Sequence, residues 1–417
     1  MPAGATTPAE PMTLAALLDR ILGAPATPAA DDPAGAPEWL PDPPSDLGPK
    51  PDPDMPYGYL LGEELHVCTR DQLVRTLVKT PGVAAVWTPE TEALARPEAV
   101  PELLPDLRAR SRKAMVWKAD ALGTVTVGFG VGIWLLWRHG EPRLASLVSI
   151  FGAMVALELV ATLLRLRKGD GINPDTFATA RSNARHAAWV NALPAPWSWW
   201  LTGCIAAVAV VALPALDERA VVAVAGLLKD RVWAEPFRLL TAPMLHVYSY
   251  HAWMNAPALL WLGRLTEAHA PREHLPLVFL LSALAGSVAS ALLLAAPSVG
   301  ASGGIMGLVG YLLVLARRRS GRFPEGFHRG MEVTIVLTAI IGAVGIAFID
   351  NAAHGGGLAA GVLLGRALVP ADGGRPEPAW LRGAGWAALA IVTAAALLTI
   401  ALIIYDPLGS AGALDGR

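Results

Sequence analysis

The chain alternates between long apolar runs and short polar, Arg-rich joints. Apolar runs fall near residues 120–137, 144–164, 199–216, 250–263, 275–296, 302–316, 331–349, 352–369 and 382–404. A bilayer-crossing helix needs roughly 20 mostly apolar residues, so the pattern predicts nine spans. Several of the middle ones are short, which suits a protein that opens a wet cavity at membrane depth. Ahead of the spans the pattern differs. Residues 1–56 are rich in Ala, Pro, Asp and Gly and are expected to be disordered, apart from an amphipathic stretch at Met12–Leu22. Between Tyr57 and Leu107, the segments Glu64–Val67, Asp71–Lys79 and Val83–Trp87 read as elements of a small αβ module. Asp71 is placed to cap a helix whose apolar residues are Leu73, Val74, Leu77 and Val78.

Composition agrees with a membrane setting. Of 417 residues 53% are hydrophobic and 16% charged, with a mean hydropathy of +0.44; soluble domains carry about 25% charged residues. A net charge of −2 argues against a nucleic-acid partner recruited by bulk positive charge. Two cysteines, Cys68 and Cys204, exclude a disulfide scaffold, and no CxxC is present. The opening Met-Pro-Ala stretch lacks the basic-then-apolar order of a secretory signal.

Basic residues set the expected orientation. Arg108, Arg110, Arg112, Lys113 and Lys118 precede the first span, and Arg165, Arg167, Lys168, Arg181 and Arg185 follow the second. Arg264 and Arg272 follow the fourth, Arg317, Arg318, Arg319 and Arg322 the sixth, and Arg366 and Arg375 the eighth. With nine spans all these clusters share one side, which predicts a cytosolic N-terminus and an external C-terminus. The Ala/Arg/Pro-rich composition suggests a bacterial inner membrane. The long outer loop 217–249, carrying Trp233, Phe237 and Tyr248, suits a segment lying in the membrane interface.

Polar residues inside spans are costly and mark candidate chemistry. Three clusters qualify. His246, His251 and Asn255 lie in LHVYSYHAWMN, with His251 and Asn255 four apart on one helical face. Gly300-Ala301-Ser302-Gly303 opens a span that continues through Gly307. His354 lies in DNAAHGGGLAAG, with Gly357, Gly361 and Gly365 at four-residue spacing. The topology puts all three at the outer ends of their spans. A serine hydroxyl becomes a useful nucleophile when an imidazole takes its proton. Ser302 at a helix N-terminus has unbonded N–H groups nearby for an oxyanion, and His251 and Asn255 can add side-chain donors. The small faces Gly303/Gly307 and Gly357/Gly361 allow two helices to approach backbone to backbone, bringing His354 toward Ser302.

The series HxxxxHxxxN, GxSG and AHxxGxxxG on alternate spans resembles the rhomboid family of intramembrane serine proteases. Phe237-Arg238-Leu239-Leu240-Thr241 resembles that family's Trp-Arg motif in the first outer loop. The resemblance covers 199–370 and implies Ser302 as nucleophile and His354 as general base of a dyad without a carboxylate. It also implies an oxyanion and substrate-binding site from His251, Asn255 and the Ser302 N–H, with Gly300 and Ala301 beside it. His246 and Arg238 are read as structural, with substrate contact left open for His246. The expected architecture is an all-α, polytopic membrane protein with a six-helix rhomboid-like core. Its layout is a tail at 1–56, a cytosolic module at 57–113, two extra helices and a basic loop at 114–198, the core at 199–370, and a seventh core-associated helix with an outer tail at 371–417.

The implied partners are membrane proteins whose transmembrane helices are cut, and the lipid bilayer; no nucleic acid, cofactor or metal is implied. The chain departs from the family pattern at Phe237 in place of Trp, at Met306 in place of an aromatic ring, and at the loosened Gly303-Gly304 start. Two other readings compete: a non-proteolytic rhomboid-like protein that binds membrane clients, and a transporter with a proton path through His251 and His354. Bland readings hold elsewhere. Asp350-Asn351 is read as a helix cap, Glu267, His269, Glu273 and His274 as solvated, and Arg317–Arg319 as an orientation signal. Neither HExxH nor GxxxxGK[ST] occurs.

Overall fold

The computed structural model of the chain describes residues 56–61, 64–80, 83–91, 94–140, 142–168, 174–213, 218–345, 349–370 and 378–405. The amphipathic stretch expected at Met12–Leu22 lies outside them. The described residues divide into two compact units, one within Pro33–Pro194 and Val333–Asn351, the other Ala195–Glu332 with Ala352–Arg417.

The first unit begins with the small module. Strands β1 (Tyr57–Leu61), β2 (Glu64–Cys68) and β3 (Val83–Trp87) form an antiparallel sheet in the order β2-β1-β3. Gly58 pairs with Trp87, whose indole fills the space a Cβ would need. Helix α1 (Arg70–Lys79) lays Leu73, Val74 and Leu77 against Val83, Val86, Val100, Leu103 and Leu107. Its cap is Thr69, not Asp71. The Thr69 hydroxyl accepts from the Gln72 N–H, and the Gln72 side chain accepts from the Thr69 N–H at 3.0 Å, a reciprocal box. Asp71 instead pairs with Arg75 at 2.6 Å and with Arg110.

Helix α2 (Leu104–Arg138) is far longer than the apolar run that announced it. Leu107 packs in the module core, and the same helix continues without a break through residue 113 and the first predicted span. Helix α3 (Pro142–Lys168) packs along it, with Lys118 paired to Glu158 at 2.5 Å and Gly152 seated on the Phe129 ring. The stretch expected as a basic loop contains helix α4 (Pro174–Ala192). Its Arg181 is buried, donating to the Val83 carbonyl and lying 3.5 Å from Glu98. A cation satisfied by protein in this way reads in sequence like one facing water.

The second unit holds α5 (Pro196–Ala212), α6 (Glu218–Ala225), the turn α7 (Arg238–Thr241), α8 (Ser249–His269), α9 (His274–Leu293) and α10 (Ser302–Arg318). Past α11 (Phe327–Val344), which straddles the boundary between the units, it continues with α12 (Asn351–Leu368) and α13 (Trp380–Tyr405). Among the described residues, each apolar run of the sequence overlaps a helix. Among the described residues, Pro101–Arg138, His274–Leu293, Phe327–Val344 and Trp380–Tyr405 are long and apolar enough to cross a bilayer unaided. Helix α10 is shorter and is covered by protein: every residue from Gly303 to Arg317 is buried.

Three polar residues expected in water prove to be joints within this unit. Glu267 accepts from the Ser198 N–H at 2.7 Å and from the Ser198 hydroxyl at 2.5 Å, closing the N-terminus of α5. His274 is buried with its Nδ1 2.5 Å from the Tyr311 hydroxyl of α10, and His269 stacks on Phe323. Two of the arginines after the sixth run, expected as an orientation signal, are bound to protein groups. Arg317 is buried and pairs with Glu332 at 2.5 Å, while Arg318 donates to the carbonyls of Arg366 and Val369 at the end of α12. Asn351, expected as part of a cap, donates its amide to the Gly342 carbonyl of α11 at 2.9 Å.

Candidate active site

Ser302 is the first residue of α10 and is half-buried. The first N–H groups of a helix have no intrahelical acceptor, and Gly303 and Gly304 add no side chain to shield them. The segment before it is tightly fixed. Gly300 has φ +117°, a left-handed conformation that suits glycine, and a Cβ there would overlap the His251 ring. The Gly300 N–H donates to the Ala242 carbonyl at 2.9 Å. That N–H is therefore committed, and Gly300 serves as the floor on which His251 rests. Ala301 is wholly buried, and its carbonyl accepts from Ile305 as the helix begins.

His251 and Asn255 lie on successive turns of α8. His246, just before that helix, is fully buried, with its ring 4.9 Å from that of His251 in an edge arrangement. Its Nδ1 is 3.2 Å from the Met244 carbonyl and its Nε2 is 3.1 Å from Asn255 Nδ2. A carbonyl only accepts, so Nδ1 carries the proton and Nε2 accepts from the Asn255 amide. One amide hydrogen of Asn255 is thereby spent on His246, and the other is left to point elsewhere.

The third element is α12, joined to α10 through glycine. A Cβ on Gly357 would overlap the Gly303 carbonyl, and one on Gly361 would overlap the Gly307 carbonyl. The two helices thus touch backbone to backbone over two turns. The Ala353 carbonyl lies 3.3 Å from where a Gly303 Cβ would sit and 2.7 Å from that of Gly286 on α9. His354 follows Ala353 and precedes Gly357 by one turn, so it stands at the same end of the paired helices as Ser302. Met306 is buried in α10.

Arg238 belongs to a separate structural centre. It is buried, donating to Glu235 at 2.6 Å and to the carbonyls of Gly226 and Ala223 at 2.8 and 2.9 Å. Thr241 adds a bond to the Ala225 carbonyl at 2.8 Å. This centre holds Leu227, which exchanges backbone bonds with Ser298. Lys229 donates to Ser298 at 2.8 Å and to Ser290 at 2.5 Å. The described part of that loop, 218–249, is therefore an ordered scaffold whose carbonyls at Ala242 and Leu227 position the chain entering Ser302, although Trp233 and Tyr248 remain exposed. Lys229, Ala242 and Gly286 were not expected. Gly286 alone left a trace in the sequence, as the middle of Ser282, Gly286 and Ser290 at four-residue spacing.

A polytopic helical protein that brings a serine, a histidine and an asparagine-histidine pair to the ends of glycine-packed helices defines a narrow class. Residues 233–371, a third of the chain, match the family model described as Rhomboid domain. RHOMBOID-like protein 4 of Arabidopsis thaliana is 35% identical over 158 residues, covering 35% of this chain and 36% of that protein. The Rhomboid protease GluP of Bacillus subtilis is 34% identical over 134 residues, covering 32% of this chain and 26% of its own length. RHOMBOID-like protein 6, mitochondrial, of Arabidopsis thaliana is 32% identical over 148 residues, covering 35% and 47%. The chain spans less than half the length of these curated relatives. They come from a plant as well as a bacterium, so they do not carry the expectation of a bacterial inner membrane.

Proposed function

We propose that the chain is an intramembrane serine endopeptidase in which Ser302 is the nucleophile and His354 the general base. The observation that carries the reading is the contact of Gly303 and Gly307 with Gly357 and Gly361, which sets the two residues at adjoining ends of locked helices. His354 takes the Ser302 proton as Oγ adds to the scissile carbonyl carbon. The Ser302 N–H, the second Asn255 amide hydrogen and His251 stabilise the oxyanion. The C–N bond breaks as His354 returns its proton to the leaving amine. Water, deprotonated by His354, then attacks the acyl-enzyme ester, and Ser302 recovers its hydrogen.

The substrate class follows from the setting. A peptide bond in a membrane helix has its carbonyl bonded and shielded, so it must unwind before attack. Substrates with small residues at the cut and Gly or Pro nearby unwind at least cost. In this reading the catalytic core is residues 199–370, with the active site toward the outer face and the N-terminus in the cytosol, an orientation supported by the placement of the basic clusters.

The test is fluorophosphonate labelling of the purified chain, together with cleavage of single-pass model substrates in co-expression. Labelling and cleavage are expected for the wild type and are lost in Ser302→Ala; cleavage is lost in His354→Ala. Equal cleavage with and without Ser302 would overturn the reading. A folded wild type that neither labels nor cuts, yet captures membrane clients, would turn it toward the non-proteolytic alternative.

A further inference from the structure

The strongest feature outside the catalytic region is a groove of about 410 Å³ between α1 and α2, lined by Arg75, Val78, Lys79, Arg110, Lys113 and Trp117 together with Ala114. No acidic side chain lines it. Two of the four lining cations, Arg75 and Arg110, share the carboxylate of Asp71, which leaves Lys79 and Lys113 without that partner. The rim is apolar: Trp117 is 76% exposed, and Val78 and Val116 are also exposed. An indole standing in solvent beside four cations is not explained by the module core, which closes on the opposite side of α1 through Leu73, Val74 and Leu77.

The position of the groove along α2 identifies what it meets. From Ala121 to Trp137 the helix carries no charged residue. Trp117 precedes that stretch by four residues, about 6 Å along the axis, and Lys113 lies about one further turn out. Aromatic residues with an apolar body and a polar edge settle at the level of lipid headgroups. Basic clusters directly beside a membrane span attract anionic headgroups, and each cation near the surface adds to that attraction. Charge, aromatic rim and distance from the apolar stretch therefore agree on a single occupant.

We infer that this groove binds the headgroup of an anionic phospholipid, with Lys79 and Lys113 on the phosphate and Trp117 along the upper acyl chain. Arg75 and Arg110, held by Asp71, form the walls. The site is independent of the peptidase reading and carries no chemistry of its own; it ties the module to the leaflet at the foot of α2.

The experiment uses the full chain in uncharged detergent micelles, with bound lipid counted by native mass spectrometry during titration. Phosphatidylglycerol is expected to bind the wild type roughly tenfold more tightly than phosphatidylcholine, and inorganic phosphate at the same concentration is expected not to displace it. Lys79→Gln with Lys113→Gln should erase most of that preference, and Trp117→Ala should weaken both lipids. Arg382→Gln, on α13, should change nothing. The preference should also fall steeply between low and high salt. Equal binding of the two lipids by the wild type, or an unchanged preference in the double variant, overturns the inference. Displacement by inorganic phosphate at equal concentration would assign the groove to a soluble phosphate instead. If the double variant fails to fold, the wild-type preference and its salt dependence decide the matter by themselves.

Discussion

Asn255 donates to Nε2 of His246 at 3.1 Å, and this bond fixes what each residue can offer. With His246 Nδ1 turned to the Met244 carbonyl, His246 acts only as an acceptor toward the site. It orients the amide that the proposed mechanism uses. Asn255→Ala is expected to lower kcat roughly 10²-fold. His246→Phe keeps the ring volume but removes the acceptor, and should lower kcat about tenfold with KM little changed. Steady-state kinetics on a model transmembrane substrate checks both; a change confined to KM would show that the pair does not act at the reacting carbonyl.

The glycines of α12 divide into two kinds. Gly357 and Gly361 face carbonyls of α10, whereas the space beside Gly355 is open. Gly361→Ala should lower the thermal midpoint and abolish cleavage, because the helices must separate to admit a methyl group. Gly355→Ala should be neutral or stabilising by up to about 1 kcal/mol, as expected for replacing an exposed helical glycine. Thermal unfolding in detergent separates the two.

Arg238 satisfies the Ala223 and Gly226 carbonyls from a buried position. Arg238→Leu leaves both carbonyls and Glu235 without their donor, and should cost about 3 kcal/mol. Arg238→Lys cannot span the same fork and should recover only part of the loss. Since Leu227 and Ala242 hold the strand that leads to Ser302, both variants should lose fluorophosphonate labelling before they lose helicity.

Glu267 closes the start of α5 through Ser198. Glu267→Ala is expected to cost about 1–2 kcal/mol, with Glu267→Gln closer to wild type. The comparison of melting temperatures tests this, and equal stability of Ala and wild type would deny the cap.

In the small module, burial pushes the Cys68 thiol up from its ordinary range. Less thiolate is then present at pH 8 than for an open cysteine. In a Cys204→Ser background, Cys68 should react slowly with a maleimide at pH 8 and rapidly once urea opens the module.

The helices and the three polar clusters were legible because each is a local pattern: an apolar run, a glycine every fourth residue, a histidine and asparagine one turn apart. What stayed hidden depends on partners distant in sequence. Glu267 and His274 read as solvated because Ser198 and Tyr311 lie far along the chain. Arg317 read as an orientation signal because nothing near it announces Glu332 or the burial of α10. Helix α4 was missed for the related reason that its Arg181 is answered by Val83 and Glu98. The cap of α1 is a different case. Thr69 and Gln72 have the spacing of a reciprocal box in the sequence itself, but the acidic side chain at Asp71 drew the assignment away. Hydropathy located the first span yet understated α2, whose start is amphipathic and is anchored by Leu107 in the module core.

The length of α2 has a mechanical consequence. Leu107 is clamped in the module core while the same rod runs on to Arg138, so the joint between module and span lacks a swivel. A torque or tilt applied to the sheet is delivered undamped into the membrane, as through a rigid axle, and whatever grips one end steers the other.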